Sequence, residues 1–174
     1  QPEASPGDFI ICDQFVDRTT GRKDTFYDGP SAVHISSADP YCPEMRGIAI
    51  AAATDLGVRF HKDGTMVVIQ GPRFSTKAES RWFSSLGWKV INMTGYPEAI
   101  LAKELGMCYL NISLITDYDA GLEGTNVSAV TQDEVVRVFM EHNEILKSLV
   151  KKIIGALPVE RTCSCEEDLV KAKP

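Results

Sequence analysis

The 174-residue chain lacks most of the signatures from which an activity is usually read. It has no run of about 18 apolar residues, so no segment reads as a membrane span. It has no excess of basic residues: 18 Lys and Arg stand against 24 Asp and Glu, a net charge of −6. That balance argues against a nucleic-acid binder, which needs a basic face to meet phosphates. There is no phosphate-binding loop, no dinucleotide glycine fingerprint and no His-Glu-x-x-His. No Gly-x-Ser-x-Gly elbow is present for a serine nucleophile. With only three histidines, a histidine metal site would have to be mixed. The opening residues, Gln1-Pro2-Glu3-Ala4-Ser5-Pro6, show neither an apolar signal core nor an initiator Met. The expectation is a processed chain or part of a longer polypeptide, located in the cytoplasm.

Cysteine is present but unpatterned. Cys12, Cys42, Cys108, Cys163 and Cys165 make an odd count at irregular spacing, unlike a secreted disulfide framework. Cys12 and Cys108 sit in apolar runs, where a thiol usually serves as a small core residue. Cys163-Ser164-Cys165 leaves three readings open: a metal pair, a strained disulfide or an exposed tail. No His or third Cys lies nearby in the sequence to complete a zinc set, so no metal or cofactor is assigned. Three Asn-x-Ser/Thr matches, at Asn92, Asn111 and Asn126, are read as chance.

What is present fits one globular domain with a core: 44% hydrophobic and 24% charged residues. Phe9 to Cys12 reads as a buried strand. A polar stretch from Asp17 to Pro40 is too long for a connector, and its Phe26, Tyr27 and His34 favour an ordered loop. Pro43 and Gly57 bracket a helix. Thr65 to Ile69 is a strand. Thr76 and Glu79 have capping-box spacing for a helix that stops at Gly87. Trp88 to Asn92 is a strand, Pro97 to Gly106 a helix, and Met107 to Ile115 a strand. Thr131 and Glu134 open a long helix with Val135, Val138, Phe139, His142, Leu146, Leu149 and Ile153 at helical spacing. Residues beyond Pro158 read as an irregular charged tail. Helices that end in Gly and feed apolar strands predict an α/β fold with a largely parallel sheet.

In such sheets ligands bind beyond the carboxyl ends of the strands. Three strand ends are polar here: Gly71-Pro72-Arg73-Phe74-Ser75, then Asn92-Met93-Thr94, then Thr116-Asp117-Tyr118-Asp119. An aromatic ring and a thioether can hold a flat base and a sugar face. A hydroxyl can donate to an anion, and a carboxylate can accept from an exocyclic amine. Each residue also has an ordinary reading. Phe74 and Met93 fit a core, Asp117 and Asp119 fit caps or turns, Thr94 fits a turn and His34 a solvated loop. Residue chemistry alone stops at an α/β enzyme domain with an unknown ligand.

These segments, in order and together with Asp13 to Thr19, Phe26-Tyr27-Asp28-Gly29 and Ala78-Glu79-Ser80, resemble the 5′-methylthioadenosine phosphorylase and trimeric purine nucleoside phosphorylase family nearly end to end. The resemblance implies a mixed, partly barrel-closed sheet flanked by helices. Residues 1–157 would be the C-terminal part of that single domain, without its N-terminal strands, and 158–174 its tail. It implies phosphorolysis of a purine nucleoside without a cofactor, in a trimer or dimer of trimers. Asp117 and Asp119 would be catalytic, with Asp117 assisting departure of the base at N7. Phe74 would pack on the purine, Ser75 would border it, and Asn92 and Met93 would line the ribose. Thr94 would donate to phosphate, and His34 would reach the 5′ end of a sugar in a neighbouring subunit. Gln132 and Val135 would face that 5′ end, with a buried Gln132 favouring adenosine through its 5′-hydroxyl. Ser75 and Asp117, where 6-oxopurine relatives usually carry Glu and Asn, favour adenine. The family's Gly-rich and Arg-His-Gly phosphate segments have no counterpart here, so the 174 residues alone are expected to be inactive. A nucleosidase, a 6-oxopurine enzyme and a truncated non-catalytic subunit remain alternatives. The resemblance further implies a Cys-x-Cys disulfide, and it places Cys42 and Cys108 where some archaeal relatives are bridged.

Overall fold

The computed structural model of the chain describes residues 1–122 and 124–172. Its elements run β1 (Phe9–Ile11), β2 (Gln14–Arg18), α1 (Pro43–Leu56), β3 (Phe60–His61), β4 (Thr65–Ile69), α2 (Lys77–Ser85), β5 (Val90–Asn92), α3 (Gly95–Glu104), β6 (Ile112–Leu114), α4 (Gln132–Ala156) and α5 (Cys165–Ala172). The chemistry at the helix ends explains most boundaries. Pro43 stands in the first turn of α1, and Gly57 ends that helix with φ 64°, a left-handed conformation that suits glycine. Thr76 and Glu79 form the full reciprocal capping box of α2. Thr131 accepts a hydrogen bond from the Glu134 amide at the start of α4.

The strands form two three-stranded sheets, in the orders β3-β1-β6 and β2-β4-β5. The second is parallel throughout. The first is mixed, because β6 runs antiparallel to β1. This corrects the expectation of one largely parallel, partly closed sheet: no closed barrel forms among the described residues. Strand β2 was masked by its polar residues, Gln14, Asp17 and Arg18, and it lies at a sheet edge with β4 as its one partner. The tail also differs from expectation, since residues 165–172 form α5 with three acidic residues in the first turn, where they oppose the positive helix end.

Strand β1 separates two cores. Phe9 and Ile11 pack with Ala49, Ala52 and Ala53 of α1 and with Leu149 and Ile153 of α4. Ile10 and Cys12 point the other way, into Met66, Val68, Val90, Ala99 and Ile115. Phe9, Ile10 and Ile11 are essentially inaccessible, and each contributes roughly 1.5–3 kcal/mol through burial. Among the described residues no helix is long and apolar enough to cross a membrane.

The polar stretch from Asp17 to Pro40 is ordered by charges of α3. Glu104, buried, accepts from the Thr25 hydroxyl and the Phe26 amide, both at 2.7 Å. Lys103, also buried, donates to the Asp39 carbonyl at 2.9 Å. Arg22 bonds the carbonyls of Tyr96 and Gln70. A buried charge survives when such partners replace water.

Asp8 is the third buried charge. It pairs with Arg59 at 2.8 Å, meets His61 at 3.3 Å and accepts from the Ser5 amide at 3.0 Å. Its backbone carbonyl accepts from the Ile115 amide, and the Gly7 amide donates to Ile115, so this knot extends the β1–β6 ladder toward Asp117. Asp8→Ala strips three partners at once and is expected to cost about 1.5–3 kcal/mol, the usual range for hydrogen bonds to a charged group. Urea unfolding of the two proteins checks this; an unchanged midpoint would contradict it.

Candidate active site

Two sequence-local devices set the walls of the site. The first is the start of α3. Asn92 Oδ1 accepts from the amides of Thr94 and Gly95, both at 2.6 Å, so the strand end turns into the helix over a fixed corner. A Cβ at Gly95 would meet Met66 Sδ at 2.7 Å, so a larger residue there would have to displace the Met66 side chain. Thr94 is exposed, and its hydroxyl lies 3.4 Å from Asn92 Oδ1. The second device is the loop before α2. Gly71 has φ 65°, and a Cβ on it would meet Met93 Sδ at 2.6 Å. Met93 therefore lies on the loop that carries Phe74 and Ser75. Arg73 clamps Glu79 with two bonds of 2.7 Å. That clamp, with the Thr76 amide, holds the Glu79 carboxyl down at about 2.

The carboxylates stand beyond β6. Asp117 accepts from the Thr116 hydroxyl at 2.6 Å and from the Asp119 amide at 2.7 Å. Asp119 takes a positive φ of 52°, and its carbonyl accepts from Val130 at 2.7 Å. Burial pushes its carboxyl above the ordinary aspartate value of 3.8, and the Asp117 charge adds to this. The neighbouring Ser80 and Ser75 hydroxyls and the Ala120 amide pull the other way. Although Ser75 stands beside Asp119, Ser75 Oγ and Asp119 Oδ2 are both buried without a hydrogen bond of normal geometry among the described residues. Such atoms are available to a polar ligand. The segment is closed by Gly121, where a side chain would strike the Val127 carbonyl at 2.6 Å.

A cleft of about 580 Å³ opens between α2, β5 and the 114–122 segment. Asp117, Asp119, Ser80 and Phe83 line it. That volume is in the range of small-molecule sites.

Residues 1–155 match the phosphorylase superfamily. The chain belongs to the phosphorylase superfamily. Among its relatives, the S-methyl-5′-thioadenosine phosphorylase of Thermofilum pendens is 48% identical over 167 residues, which is 96% of this chain and 62% of that protein. The enzyme of the same name from Mycolicibacterium smegmatis is 53% identical over 165 residues, 94% of this chain and 60% of that one. A solved structure of methylthioadenosine phosphorylase from Schistosoma mansoni in complex with adenine superposes with a TM-score of 0.90 at 29% identity, covering 99% of this chain and 68% of that chain. The chain thus spans about 60–62% of the length of the curated phosphorylases named here.

Within this member of the superfamily the expected residues divide into three groups. Asp117 and Asp119 line the cleft, and Ser75 stands beside Asp119. Phe74, Met93 and Thr94 sit on the adjoining loop and strand end rather than in its lining. Asn92 has its carboxamide oxygen committed to the backbone, which makes it a positioning residue. The third group is separate: His34 is exposed on the 19–42 loop, and Gln132 is exposed at the first position of α4. The expectation of a buried Gln132 is therefore corrected; an amide in the first turn of a helix facing water needs no internal partner. Val135 is half-buried one turn on. Asp117 and Asp119 were both expected as catalytic, and burial raises the carboxyl of Asp119. Ser80 was not foreseen as a site residue. Its signal was the capping box, which fixes Ser80 one turn after Thr76.

A carboxyl with a raised pKa binds its proton more tightly in the folded chain than in the unfolded one. It therefore favours folding at acid pH, and that contribution fades as pH climbs through the folded pKa. Asp119→Asn is expected to remove this dependence. The stability of the variant relative to the parent should rise from the ordinary aspartate range toward neutrality in urea titrations at successive pH values. A constant difference across that window would refute the burial of an ionisable Asp119.

Proposed function

We propose that this chain provides the base-reading and ribose-holding part of a 5′-methylthioadenosine or adenosine phosphorylase, a pentosyltransferase of purine and methionine salvage. One observation carries the reading: Ser75, a serine, stands beside Asp119, which with Asp117 lines the cleft. A carboxylate at position 75 would crowd a third acidic group against two half-buried ones. A hydroxyl there leaves the pair free to accept from a 6-amino group, which favours adenine over a 6-oxopurine. The relatives' names and the adenine complex of the Schistosoma enzyme support the same assignment.

In this reading phosphate oxygen attacks C1′ as the C1′–N9 bond breaks, through a sugar-cation-like transition state. The electron pair goes to the purine, which takes up a proton at N7. Asp117 shares or delivers that proton, and Asp119, which keeps its proton to higher pH than an ordinary aspartate, supports it. This is general-acid catalysis of the departing base. Phe74 packs on the purine, Met93 lies under the ribose, and the Thr94 hydroxyl donates to phosphate. The remaining phosphate donors belong to the part of the relatives that this chain does not match. Inorganic phosphate is the co-substrate, and no cofactor is required.

His34 and Gln132 find a role only in an assembly, where they reach the 5′ end of a sugar with Val135 beside them. Exposed apolar residues on α4, Phe139, Met140, Ile145, Val150 and Ile154, support a homo-oligomer, a trimer or a dimer of trimers. A cytoplasmic location fits a salvage enzyme.

The test is adenine release from methylthioadenosine and adenosine with and without phosphate, using the longest natural polypeptide that contains this chain. Release should depend on phosphate, and Asp117→Asn should lower it at least about a hundredfold, the usual size of a general-acid effect. Phosphate-independent release would point to a nucleosidase. A strong preference for methylthioadenosine would remove Gln132 from the 5′ site.

A further inference from the structure

Four cysteines far apart in sequence meet at one place behind the site. Cys42 is the cap of α1, and Cys108 lies in the extended segment ahead of β6. Cys163 and Cys165 lead into α5. Their sulfur atoms all lie within 4.8 Å of one another, and those of Cys108 and Cys163 are 3.3 Å apart. Cys42 and Cys165 are buried, and the other two are half-buried. We propose that these four sulfurs bind one zinc ion as a four-thiolate site that pins α5 to the body of the domain.

The geometry favours an ion over two bridges. Zinc takes sulfur at about 2.3 Å in a tetrahedron, which sets its ligands roughly 3.8 Å apart. Four sulfurs all within 4.8 Å of one another need only small shifts to close on one ion. Two disulfides would need only two separate close pairs, and forming them would require an oxidant. Thiolates are soft donors that select zinc over harder cations. The fifth cysteine, Cys12, lies in the other core, against Ser113 at 3.8 Å, and takes no part.

The charge is also provided for. Zinc with four thiolates carries a net charge of −2, and four thiol protons leave to solvent as it forms. Two helix N-termini, those of α1 and α5, begin at ligands of the cluster and present their positive ends to it. The Arg161 guanidinium adds a positive charge beside Cys108 while donating to the Gly106 carbonyl at 2.8 Å. Glu44 holds the intervening turn by accepting from the Thr162 amide and hydroxyl. The site fastens three elements at once, and one of them, the Cys108 segment, runs directly into β6 and Asp117.

The test is a titration of the reduced, unmutated chain with Zn²⁺ and with Co²⁺. One ion per chain is expected, with the intense visible bands of a tetrahedral cobalt tetrathiolate. The four cluster thiols should resist a thiol reagent until a chelator is added, while the core thiol of Cys12 stays unreactive in the native chain throughout. Chelation should also open the 157–164 segment to protease. Cys163→Ser and Cys42→Ser should each lose the tetrathiolate band, and the unmutated titration decides the matter even where a variant fails to fold. Two outcomes would overturn the proposal: a reduced chain that takes up no stoichiometric metal, or a metal-free native mass lighter by four hydrogens, which denotes two disulfides.

Discussion

The short antiparallel ladder between β1 and β6 is the contact on which the rest of the site depends. Strand β1 is buried on both faces and divides the two cores, so it has nowhere to move. Its register places Ile11 opposite Ile112 and Phe9 opposite Leu114. Beyond the ladder, Gly7 and Asp8 continue the pairing to Ile115. Asp117 follows two residues later. The position of the carboxylates is therefore fixed by apolar packing many residues away in sequence. The buried Asp8 with its Arg59 and His61 partners keeps that extension in place at its polar end.

A second constraint is glycine at close approaches. Met93 lies over Gly71, Met66 over Gly95, and the Val127 carbonyl over Gly121. The backbone contact at Gly121 needs a residue without Cβ, the two methionine contacts would have to shift to admit one, and each brings a site segment against its neighbour. The three polar strand ends converge because these contacts let backbones and side chains approach closely. The electrostatics of the carboxyl pair follow from the same packing. Asp119 is raised because the loop buries it, and the serines beside it only partly offset that cost.

Helices α1 and α2 were legible because their signals are local: Pro43 with Gly57, and Thr76 with Glu79. Strand β2 was not, because an edge strand with Gln14, Asp17 and Arg18 presents no apolar run. The direction of β6 was not legible either, since hydrophobic pattern carries no strand polarity. In α5 the acidic first turn, Glu166 to Asp168, was a readable signal overshadowed by the charged composition of the tail. Asp117 and Asp119 stood out as a strand-end pair, but the chemistry of Asp119 depends on Ser75 and Ser80, about forty residues earlier. The cysteine cluster is the extreme case. Cys163 and Cys165 lacked a third ligand nearby in the sequence, and the fold brings Cys42 and Cys108 to them.

The central claim is that this chain holds the adenine-reading half of a nucleoside phosphorylase site, built from Asp117, Asp119, Ser75 and Phe74. A crystal structure with adenine bound tests it most directly. The account predicts the purine packed on Phe74, with N7 and the 6-amino group within hydrogen-bond distance of Asp117. Adenine bound elsewhere, or seated with its sugar-bearing edge toward Asp117, would contradict it.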